Sequence, residues 1–475
     1  MASRPALERA RSTLHLRLLA AQQRLVTAGR GAVILLGGND RLAASALANQ
    51  LTEWLDSRTV QLCAPDEQAA ELAGRPFLWP YWQAMPAKGQ ITLVVNDWVT
   101  RSALAIAQNN LSGEKLRQRA RALRQFEELL AADGTSVVKV WIETPSKSLR
   151  NRLKEAAGTD AQGWVVSETD WLLTNGRGHG HARTFRTTAA GKNLPWKVIA
   201  GGETKARDLH AGLEIVHQLN QAARRRPATK AKKPSSRPRG LLESVAPHPT
   251  LEKKEYSQQI AKLQVRLGRL TRLAAAKGVS TVVALEGPDA AGKGGAIRRL
   301  CGMLDATQYR VYPTSAPTLV EKARHYLWRF WNKTPAPGHL ALFDRSWYGR
   351  VMVERVEGFA TEPAWSRAYA ELNDFEARLA ETGTIVLKVW INISKEEQLR
   401  RFRAREGSAH KRHKMTSEDY RNRKKWEDNL RAAEDMLART DTPHAPWHVI
   451  LGDDKRHARV AVLKAVCRAL ADRLD

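Results

Sequence analysis

The amino-acid sequence predicts an α/β protein of two tandem domains, each a parallel β-sheet between two layers of helices. Two observations lead to this prediction. Short apolar runs alternate with helical stretches along the chain, as in parallel sheets whose strands are joined by helices. The same order of runs also occurs twice, which indicates a duplicated domain. The chain has 475 residues, which is enough for roughly two to four domains of ordinary size.

Three separated blocks of sequence recur in both halves of the chain, at spacings of 249 to 251 positions. Because the spacing is nearly constant, the repeat covers a whole domain and not one motif. We predict a first copy over residues 1–221, a basic Pro-rich linker over residues 222–250, and a second copy over residues 251–475. The matching blocks are Phe77–Trp82 with Tyr326–Trp331, Gly134–Ile142 with Gly383–Ile391, and Pro195–Trp196 with Pro446–Trp447.

Four short apolar runs in each copy have the length and composition of buried strands. Each run is bounded by glycine or polar residues, and helical stretches such as Glu114–Leu130 lie between the runs. Ligands of such sheets bind at the carboxyl ends of the strands. The predicted strands are Ala32–Leu36, Ile91–Val95, Val137–Ile142 and Val198–Ala200 in the first copy, and Thr281–Leu285, His339–Phe343, Ile385–Asn392 and His448–Leu451 in the second.

The first predicted strand of the second copy runs into a Gly-x-x-x-x-Gly-Lys motif. Gly287 and Gly292 allow a tight turn that directs backbone N–H groups at anionic oxygens, and Lys293 adds a positive charge. A helix beginning near Gly294 and Gly295 presents its positive dipole end to the same anion. The motif therefore predicts a P-loop, and a P-loop kinase-like fold for both copies.

Two carboxylates are the candidates for holding a metal ion. The usual motif places a Ser or Thr hydroxyl on Mg²⁺ directly after the lysine, but this chain has Gly294 there. Asp289 lies inside the loop, and Asp344 ends the next predicted strand, where a magnesium carboxylate is expected. Arg345 follows and would neutralise charge on the transferred group.

A basic helical segment at about residues 394–430 is predicted to form a lid over the phosphates. Its first helix begins at Ser394 with Glu397 in the capping-box position. Such a lid would exclude water that would otherwise accept the phosphoryl group. The basic residues that we expect such a lid to bring to the phosphates include Lys411, Arg412 and Lys414, and Arg405 lies at the end of its first helical stretch.

The first copy lacks these features. Ala43, Ala44 and Val95 stand where the second copy has the second glycine, the lysine and the strand-end carboxylate. The basic Lys411–Lys414 stretch is likewise replaced, by Gln162–Val165. Since these residues are lost together, we predict that the first copy keeps the fold without catalysis, and that residues 251–475 alone retain the chemistry.

Composition limits the environment and the partners. Hydrophobic residues make up 43% and charged residues 27% of the chain, as in soluble globular proteins. We expect a cytoplasmic protein without membrane association, because no apolar run approaches a membrane span and the N-terminus lacks a signal-peptide pattern. The three scattered cysteines favour free thiols over disulfides. The net charge of +28 indicates a polyanionic partner.

The motifs of the second copy resemble those of the polyphosphate kinase 2 family. The P-loop reads Glu286-Gly-Pro-Asp-Ala-Ala-Gly-Lys-Gly-Gly295, and the strand-end motif reads Phe343-Asp-Arg-Ser-Trp-Tyr348. Ala316–Thr318, Tyr326–Arg329 and Val353–Val356 are also similar. The fused arrangement of one decayed and one intact copy is similar to the two-domain class of that family, the polyphosphate:AMP phosphotransferases. The resemblance covers almost the whole chain apart from the linker.

The resemblance implies phosphoryl transfer from inorganic polyphosphate to AMP or another purine nucleotide, with Mg²⁺ or Mn²⁺ as the metal. It implies catalytic roles for Asp289, Lys293, Asp344 and Arg345, and places Arg350 in substrate binding. Family members commonly have Asn at the position of Gly349, so the choice among AMP, ADP and GMP stays open.

Three other functions remain alternatives. Polyphosphate-dependent phosphorylation of nucleoside diphosphates would use the same residues. An ATP-dependent nucleotide kinase would use the P-loop and lid but would not need so large a positive charge. A nucleic-acid-binding protein would explain the charge, but it would not explain why P-loop, carboxylate and lid are lost together. A homo-oligomer is compatible with the sequence.

Overall fold

A computed structural model describes residues 4–66, 69–158, 166–174, 176–190, 194–224, 242, 249–407 and 417–474. The chain forms two compact units. The first unit comprises residues 1–69, 80–228 and 319–328, and the second comprises residues 70–79, 229–318 and 329–475. Each unit thus contains a ten-residue segment from the other half of the sequence.

The first copy of the sequence contains five strands and nine α-helices among its described residues. The strands are β1 (Ala32–Gly38), β2 (Val60–Cys63), β3 (Ile91–Val95), β4 (Ser136–Glu143) and β5 (Lys197–Ala200). The helices are α1 (Arg4–Thr27), α2 (Arg41–Trp54), α3 (Trp79–Gln83), α4 (Trp98–Ala107), α5 (Gly113–Ala132), α6 (Ser146–Gly158), α7 (Glu168–Leu172), α8 (Gly176–Ala189) and α9 (Thr204–Arg224).

The second copy repeats this order. Its strands are β6 (Thr281–Glu286), β7 (Tyr309–Pro313), β8 (Leu340–Asp344), β9 (Ile385–Asn392) and β10 (Trp447–Leu451). Its helices are α10 (Lys253–Ala276), α11 (Lys293–Cys301), α12 (Leu319–Lys322), α13 (Trp328–Trp331), α14 (Val353–Val356), α15 (Glu362–Glu381), α16 (Lys395–Glu406), α17 (Ser417–Lys424), α18 (Trp426–Thr440) and α19 (Lys455–Leu474).

Both sheets are parallel and have the same strand order, β2-β3-β1-β4-β5 in the first unit and β7-β8-β6-β9-β10 in the second. The P-loop strand is central in each. This confirms the predicted α/β fold class and the parallel sheets. The sequence missed β2 and β7, one of the two edge strands of each sheet, which are partly exposed and less apolar than the central strands.

Helices cover both faces of the second sheet. Lys388 of β9 donates to Glu376 of α15, whereas its neighbours Leu387 and Val389 pack in the core with Leu463 of α19. Successive side chains of a strand point to opposite faces, so α15 and α19 lie on opposite sides. The first unit has the same arrangement, with α5 and α9 on the two sides of β4. Each unit is therefore a three-layer α/β/α structure, as predicted.

A buried ion pair recurs in both units. The Lys388 Nζ lies 2.8 Å from Glu376 Oε2, and the Lys139 Nζ lies 2.7 Å from Glu127 Oε2. All four side chains are at most 1% exposed. Because the pair is kept in the copy that lost its P-loop, it belongs to the scaffold and not to the chemistry.

Candidate active site

The P-loop of the second unit connects β6 to α11. Gly287 has φ +142°, and a side-chain Cβ there would lie 2.5 Å from the carbonyl oxygen of Ile391. Gly292 is the N-cap of α11 with φ +115°. Both positions therefore require glycine, because other residues rarely adopt such φ values. The loop follows the carboxyl end of the central strand, where ligands of parallel sheets bind.

Lys293 is the first residue of α11 and is buried. Its Nζ donates to the backbone oxygens of Gly287 at 2.6 Å and Pro288 at 3.1 Å. Burial lowers the pKa of Lys293, and the nearby Arg345 lowers it further. The charge of Lys293 is thus held inside the loop, where an anion would stabilise it.

Binding of a phosphate polyanion should therefore be accompanied by proton uptake in solution whose pH lies between the lowered pKa of Lys293 and the ordinary value for lysine. A lysine whose pKa is lowered loses its proton below its ordinary value of 10.5. A bound polyanion favours the charged form and raises that pKa again. Binding in the window between the two values should then take up protons. Calorimetric titrations in buffers of different ionisation enthalpy measure this uptake, which should disappear in Lys293→Met. Proton release in the unaltered protein would contradict the prediction.

Asp289 lies at the centre of a polar network. Its carboxylate forms an ion pair with Arg345 and accepts from Asn422 Nδ2 at 3.0 Å. Gln398 Nε2 donates to its backbone oxygen at 3.1 Å. Burial alone would raise the pKa of Asp289, but Arg345, Lys293 and Asn422 outweigh it, so the pKa lies below its ordinary value. Asp289 is therefore ionised and can exchange Arg345 for another cation.

Asp344 ends β8 and lies beside the start of α11. A Cβ placed on Gly294 would be 3.4 Å from Asp344 Oδ2, so Asp344 stands next to the position where the usual motif has a hydroxyl. The turn after Asp344 is held by Glu286, whose Oε1 accepts from the Ser346 N–H at 2.7 Å and its hydroxyl at 2.8 Å. Arg345 itself has φ +62°, and this turn directs it towards Asp289.

Arg401 of α16 ties the P-loop to the end of β10. Its side chain is 2% exposed. Nη1 donates to the backbone oxygens of Ala290 at 2.9 Å and Ala291 at 2.7 Å, and Nη2 donates to those of Gly452 at 2.6 Å and Asp453 at 3.0 Å. Arg401 thus holds the loop open in a defined shape.

Two cavities meet at Asp289 and Arg345, which line both. The larger cavity, of about 810 Å³, lies over the P-loop. The smaller one also contains apolar and amide side chains, among them Trp390, Trp426 and Asn429, together with the carboxylates of Glu286 and Glu357. The basic residues in the wall of the larger cavity are Lys293, Arg298, Arg345, Arg401, Arg405, Lys455 and Arg459.

Most of the residues predicted from sequence come together. Asp289, Gly292, Lys293, Gly294, Gly295, Asp344, Arg345 and Arg405 line the larger cavity, and Gly287 lines the smaller one. Arg350 instead pairs with Glu354, with Nη1 3.3 Å from Oε2. It does not line either of the two cavities. Lys411, Arg412 and Lys414 lie outside the described residues.

Sequence reasoning did not single out several residues that the site contains. Asn422 lies on α17 and Gln398 on α16, in the segment predicted to form a lid, where the basic residues dominated the pattern. Lys455 and Arg459 lie on α19, beyond the last predicted strand, where no motif marks them. The position of Arg401 in the basic segment was a usable signal, but its contacts with the P-loop were not predictable.

In the first unit, a helix replaces the phosphate loop. α2 begins at Arg41, three residues before Ala44, which is the position equivalent to Lys293. Asp40 is buried and caps this helix by accepting from the Ala43 N–H at 3.0 Å. It also accepts from the Thr144 hydroxyl at 2.6 Å. The aspartate equivalent to Asp289 is therefore part of the scaffold here.

A P-loop at the end of a central parallel strand, a buried lysine and a strand-end aspartate define a P-loop phosphotransferase. The model of the family Polyphosphate kinase 2 (PPK2) matches residues 1–227 and 250–474. This chain belongs to the polyphosphate kinase 2 family.

Known proteins agree with this assignment. The polyphosphate:AMP phosphotransferase of Pseudomonas aeruginosa is 38% identical over 447 residues, which are 92% of this chain and 90% of that protein. An ADP-polyphosphate phosphotransferase of Rhizobium meliloti is 38% identical over 205 residues, which are 43% of this chain and 72% of that protein. A crystal structure of a Pseudomonas aeruginosa protein assigned to polyphosphate kinase 2 has a TM-score of 0.88 and 36% identity, and covers 99% of this chain and 97% of its own.

Among the described residues, no helix combines the length and apolar character needed to cross a bilayer. The cysteines Cys63, Cys301 and Cys467 are free thiols, as predicted. Burial raises the pKa of Cys63 to about 12 and that of Cys467 to about 11.

Proposed function

We propose that this protein transfers the terminal phosphoryl group of inorganic polyphosphate to AMP, giving ADP and a polyphosphate shorter by one unit. The observation that carries the proposal is the pair of cavities that share Asp289 and Arg345. The basic cavity over the P-loop fits a polyanionic donor, and the cavity with Trp390 and Trp426 fits a purine nucleotide. Transfer takes place where the two cavities meet.

In this reaction an oxygen of the AMP phosphate attacks the terminal phosphorus of the donor. The bond from that phosphorus to the next bridging oxygen breaks, and the negative charge passes to the shortened chain. Catalysis of this kind is mainly positioning and charge stabilisation. Lys293 and the N–H groups of the loop hold the donor. Arg345 leaves its ion pair with Asp289 and binds the transferred phosphoryl group instead.

We propose Asp289 and Asp344 as the ligands of Mg²⁺, with Mn²⁺ as an alternative. The residues fit, because Asp289 is ionised and Asp344 faces the start of α11 within the same cavity. The described residues contain no group of three or more His, Cys, Asp or Glu that could hold a metal, and Mg²⁺ often takes one or two carboxylates together with substrate phosphates. The bound ion would neutralise charge on the phosphates.

The test is an assay of the purified chain with AMP, Mg²⁺ and either polyphosphate or ATP as donor, with ADP quantified by chromatography. Polyphosphate should support ADP formation, and ATP should do so at most weakly. Faster phosphorylation with ATP would overturn the proposal. Because the Rhizobium meliloti relative is an ADP-polyphosphate phosphotransferase, ADP, GDP and GMP belong in the assay as alternative acceptors.

Three further assignments accompany the proposal. The free cysteines support a cytoplasmic location.

The basic cavity supports polyphosphate as the polyanion in preference to nucleic acid. A filter-binding competition with duplex DNA across a range of salt concentrations tests this preference. A homo-oligomer stays a prediction from the sequence, which measurement of the mass in solution would check.

The basic residues on α19 should act on the donor and not on the acceptor. Lys455→Gln combined with Arg459→Gln removes two charges from the wall of the larger cavity. Since charge-assisted contacts with phosphate are strong, we expect the KM for polyphosphate to rise roughly tenfold or more. The KM for AMP should stay nearly constant. Initial rates at varied concentrations of each substrate measure both constants.

The control for this prediction changes two charges on the same helix outside the cavity. Lys464 is exposed, and Arg468 is 83% exposed. Replacing both with glutamine should leave both KM values unchanged. If the control raises the KM for polyphosphate as much as the cavity variant does, the effect comes from overall charge and not from the cavity wall.

A further inference from the structure

The two segments that change units are equivalent in the repeat. Residues 70–79 belong to the second unit and residues 319–328 to the first. Their first residues are 249 positions apart, and so are their last. This is the spacing that relates the two copies of the sequence. The segment that each copy contributes to the other unit is therefore the same element of the repeat. Exchange of an identical element between two copies is the arrangement known as domain swapping.

Within the second unit, the segment of residues 70–79 makes specific polar contacts. Arg75 Nη1 donates to the backbone oxygens of Thr334 at 2.9 Å and Pro335 at 3.1 Å. Trp79 Nε1 donates to the backbone oxygen of Trp331 at 3.2 Å. The Arg75 guanidinium also lies 4.3 Å from the centre of the Trp79 ring, a favourable cation–π geometry. The segment is therefore bound through a defined set of partners.

Within the first unit, the segment of residues 319–328 makes the equivalent contacts. The Arg324 guanidinium lies 4.6 Å from the centre of the Trp328 ring. Arg324 Nε donates to the backbone oxygen of Met85 at 3.1 Å, and Met85 is the repeat equivalent of Thr334. Trp328 Nε1 donates to the backbone oxygen of Gln83 at 3.4 Å. The same arginine and tryptophan thus attach each segment to its unit.

The contacts of residues 70–79 continue to the wall of the larger cavity. Trp331, which accepts from Trp79, belongs to α13 and packs edge-on against Phe375 with ring centres 4.8 Å apart. Arg329 of the same helix donates from Nη1 to the backbone oxygen of Ser315 at 3.1 Å. Ser315 lines the larger cavity. The segment therefore supports a helix that in turn holds this wall.

We propose that the first copy of the sequence supplies residues 70–79 as a structural part of the second unit, and that the second copy supplies residues 319–328 to the first unit in return. The decayed copy is thus required for the active unit to be complete. On this proposal, residues 251–475 alone would lack a part of the active unit, in contrast to the prediction from sequence that they retain the chemistry. The proposal depends on the contacts alone and does not need the proposed reaction.

Hydrogen exchange of the full-length chain, measured by mass spectrometry, tests the exchange of segments. Arg75→Ala, although it lies in the first copy, should speed amide exchange in residues 309–315 and 329–337 of the second. Arg324→Ala, although it lies in the second copy, should speed exchange in residues 80–90 of the first. Loss of the arginine contacts should accelerate exchange roughly tenfold or more in these peptides. Acceleration confined to the copy that carries the substitution would overturn the proposal.

Conservative variants keep the test decisive if an alanine variant does not fold. Arg75→Lys and Arg324→Lys keep the charge but lose the planar guanidinium that stacks and donates to two oxygens. The lysine variants should accelerate amide exchange less than the alanine variants do, but again in the copy that does not carry the substitution. Faster exchange only in the copy that carries the substitution would again contradict the proposal.

A second experiment cuts the chain between the copies. A specific protease site is placed in the linker within residues 229–240 of the full-length protein, and the protein is cleaved after folding. The two pieces should elute together in size-exclusion chromatography and separate only in denaturant. Separation of the pieces without denaturant would overturn the proposal. Because neither experiment measures phosphoryl transfer, a failure of the proposed function would be seen separately, in the donor assay.

Discussion

Lys293→Met should lower the rate of phosphoryl transfer by roughly 10²- to 10³-fold or more, since it removes a group aimed at charge on the transferred phosphoryl. The lysine is buried inside the P-loop and donates to Gly287 and Pro288, so the substitution removes a charge that the loop holds in a fixed position. Initial rates with polyphosphate and AMP measure the effect. Circular dichroism and thermal unfolding should show that the variant is folded.

Lys464→Met provides the matched control, because Lys464 is an exposed lysine of α19 that lines neither cavity. Its rate should equal that of the unaltered protein. Near-normal turnover by Lys293→Met would place the working site elsewhere, and the first copy would then have to contain it.

Arg401→Met should destabilise the protein by about 3 to 5 kcal/mol, the usual cost of removing one partner from a buried charge network. Four backbone oxygens of the P-loop and the β10 end lose their donor. Glu397 also loses its closest buried partner. Urea unfolding measures the stability. Activity should fall as well, because Ala290 and Ala291 are no longer held.

Arg400→Met is the control for this prediction. Arg400 pairs with the same glutamate, Glu397, but its side chain is 67% exposed. Exposed pairs contribute little, so the free energy of unfolding should change by about 0.5 kcal/mol or less. Equal losses of unfolding free energy in the two variants would show that Arg401 stabilises the protein through its pairing with Glu397 and not through its contacts with the P-loop.

The sequence predicted the central strands and the P-loop because their signals are local. A run such as Val282–Leu285 is apolar in every position, as is typical of a strand covered on both faces. The loop depends on glycines and a lysine at fixed spacing. The strands Val60–Cys63 and Tyr309–Pro313 were missed because Gln61 and Arg310 interrupt their apolar residues, whereas the other edge strand of each sheet contains an unbroken apolar run, Val198–Ala200 or Val449–Leu451.

The repeat also allowed the sequence to identify which copy lacks the P-loop residues, and so to predict which copy lacks catalysis. Ala44 and Val95 stand where a phosphate site needs a lysine and a carboxylate, and this follows from alignment alone. The sequence could not show how the loop was lost. In the structure α2 starts at Arg41 and Asp40 becomes its buried cap, so the space for a phosphate is taken up by helix.

By itself, the sequence determined the duplicated α/β architecture and the P-loop motif, and it predicted which copy carries the chemistry, because strand patterns and motifs are encoded by residues close together in the chain. Only the tertiary structure decided that Arg401 holds the P-loop, that Asn422 contacts Asp289, and that two cavities meet at Asp289 and Arg345. It also decided which unit each exchanged segment belongs to. These features join residues tens to hundreds of positions apart, and the distance between such residues is set by the packing of the whole fold.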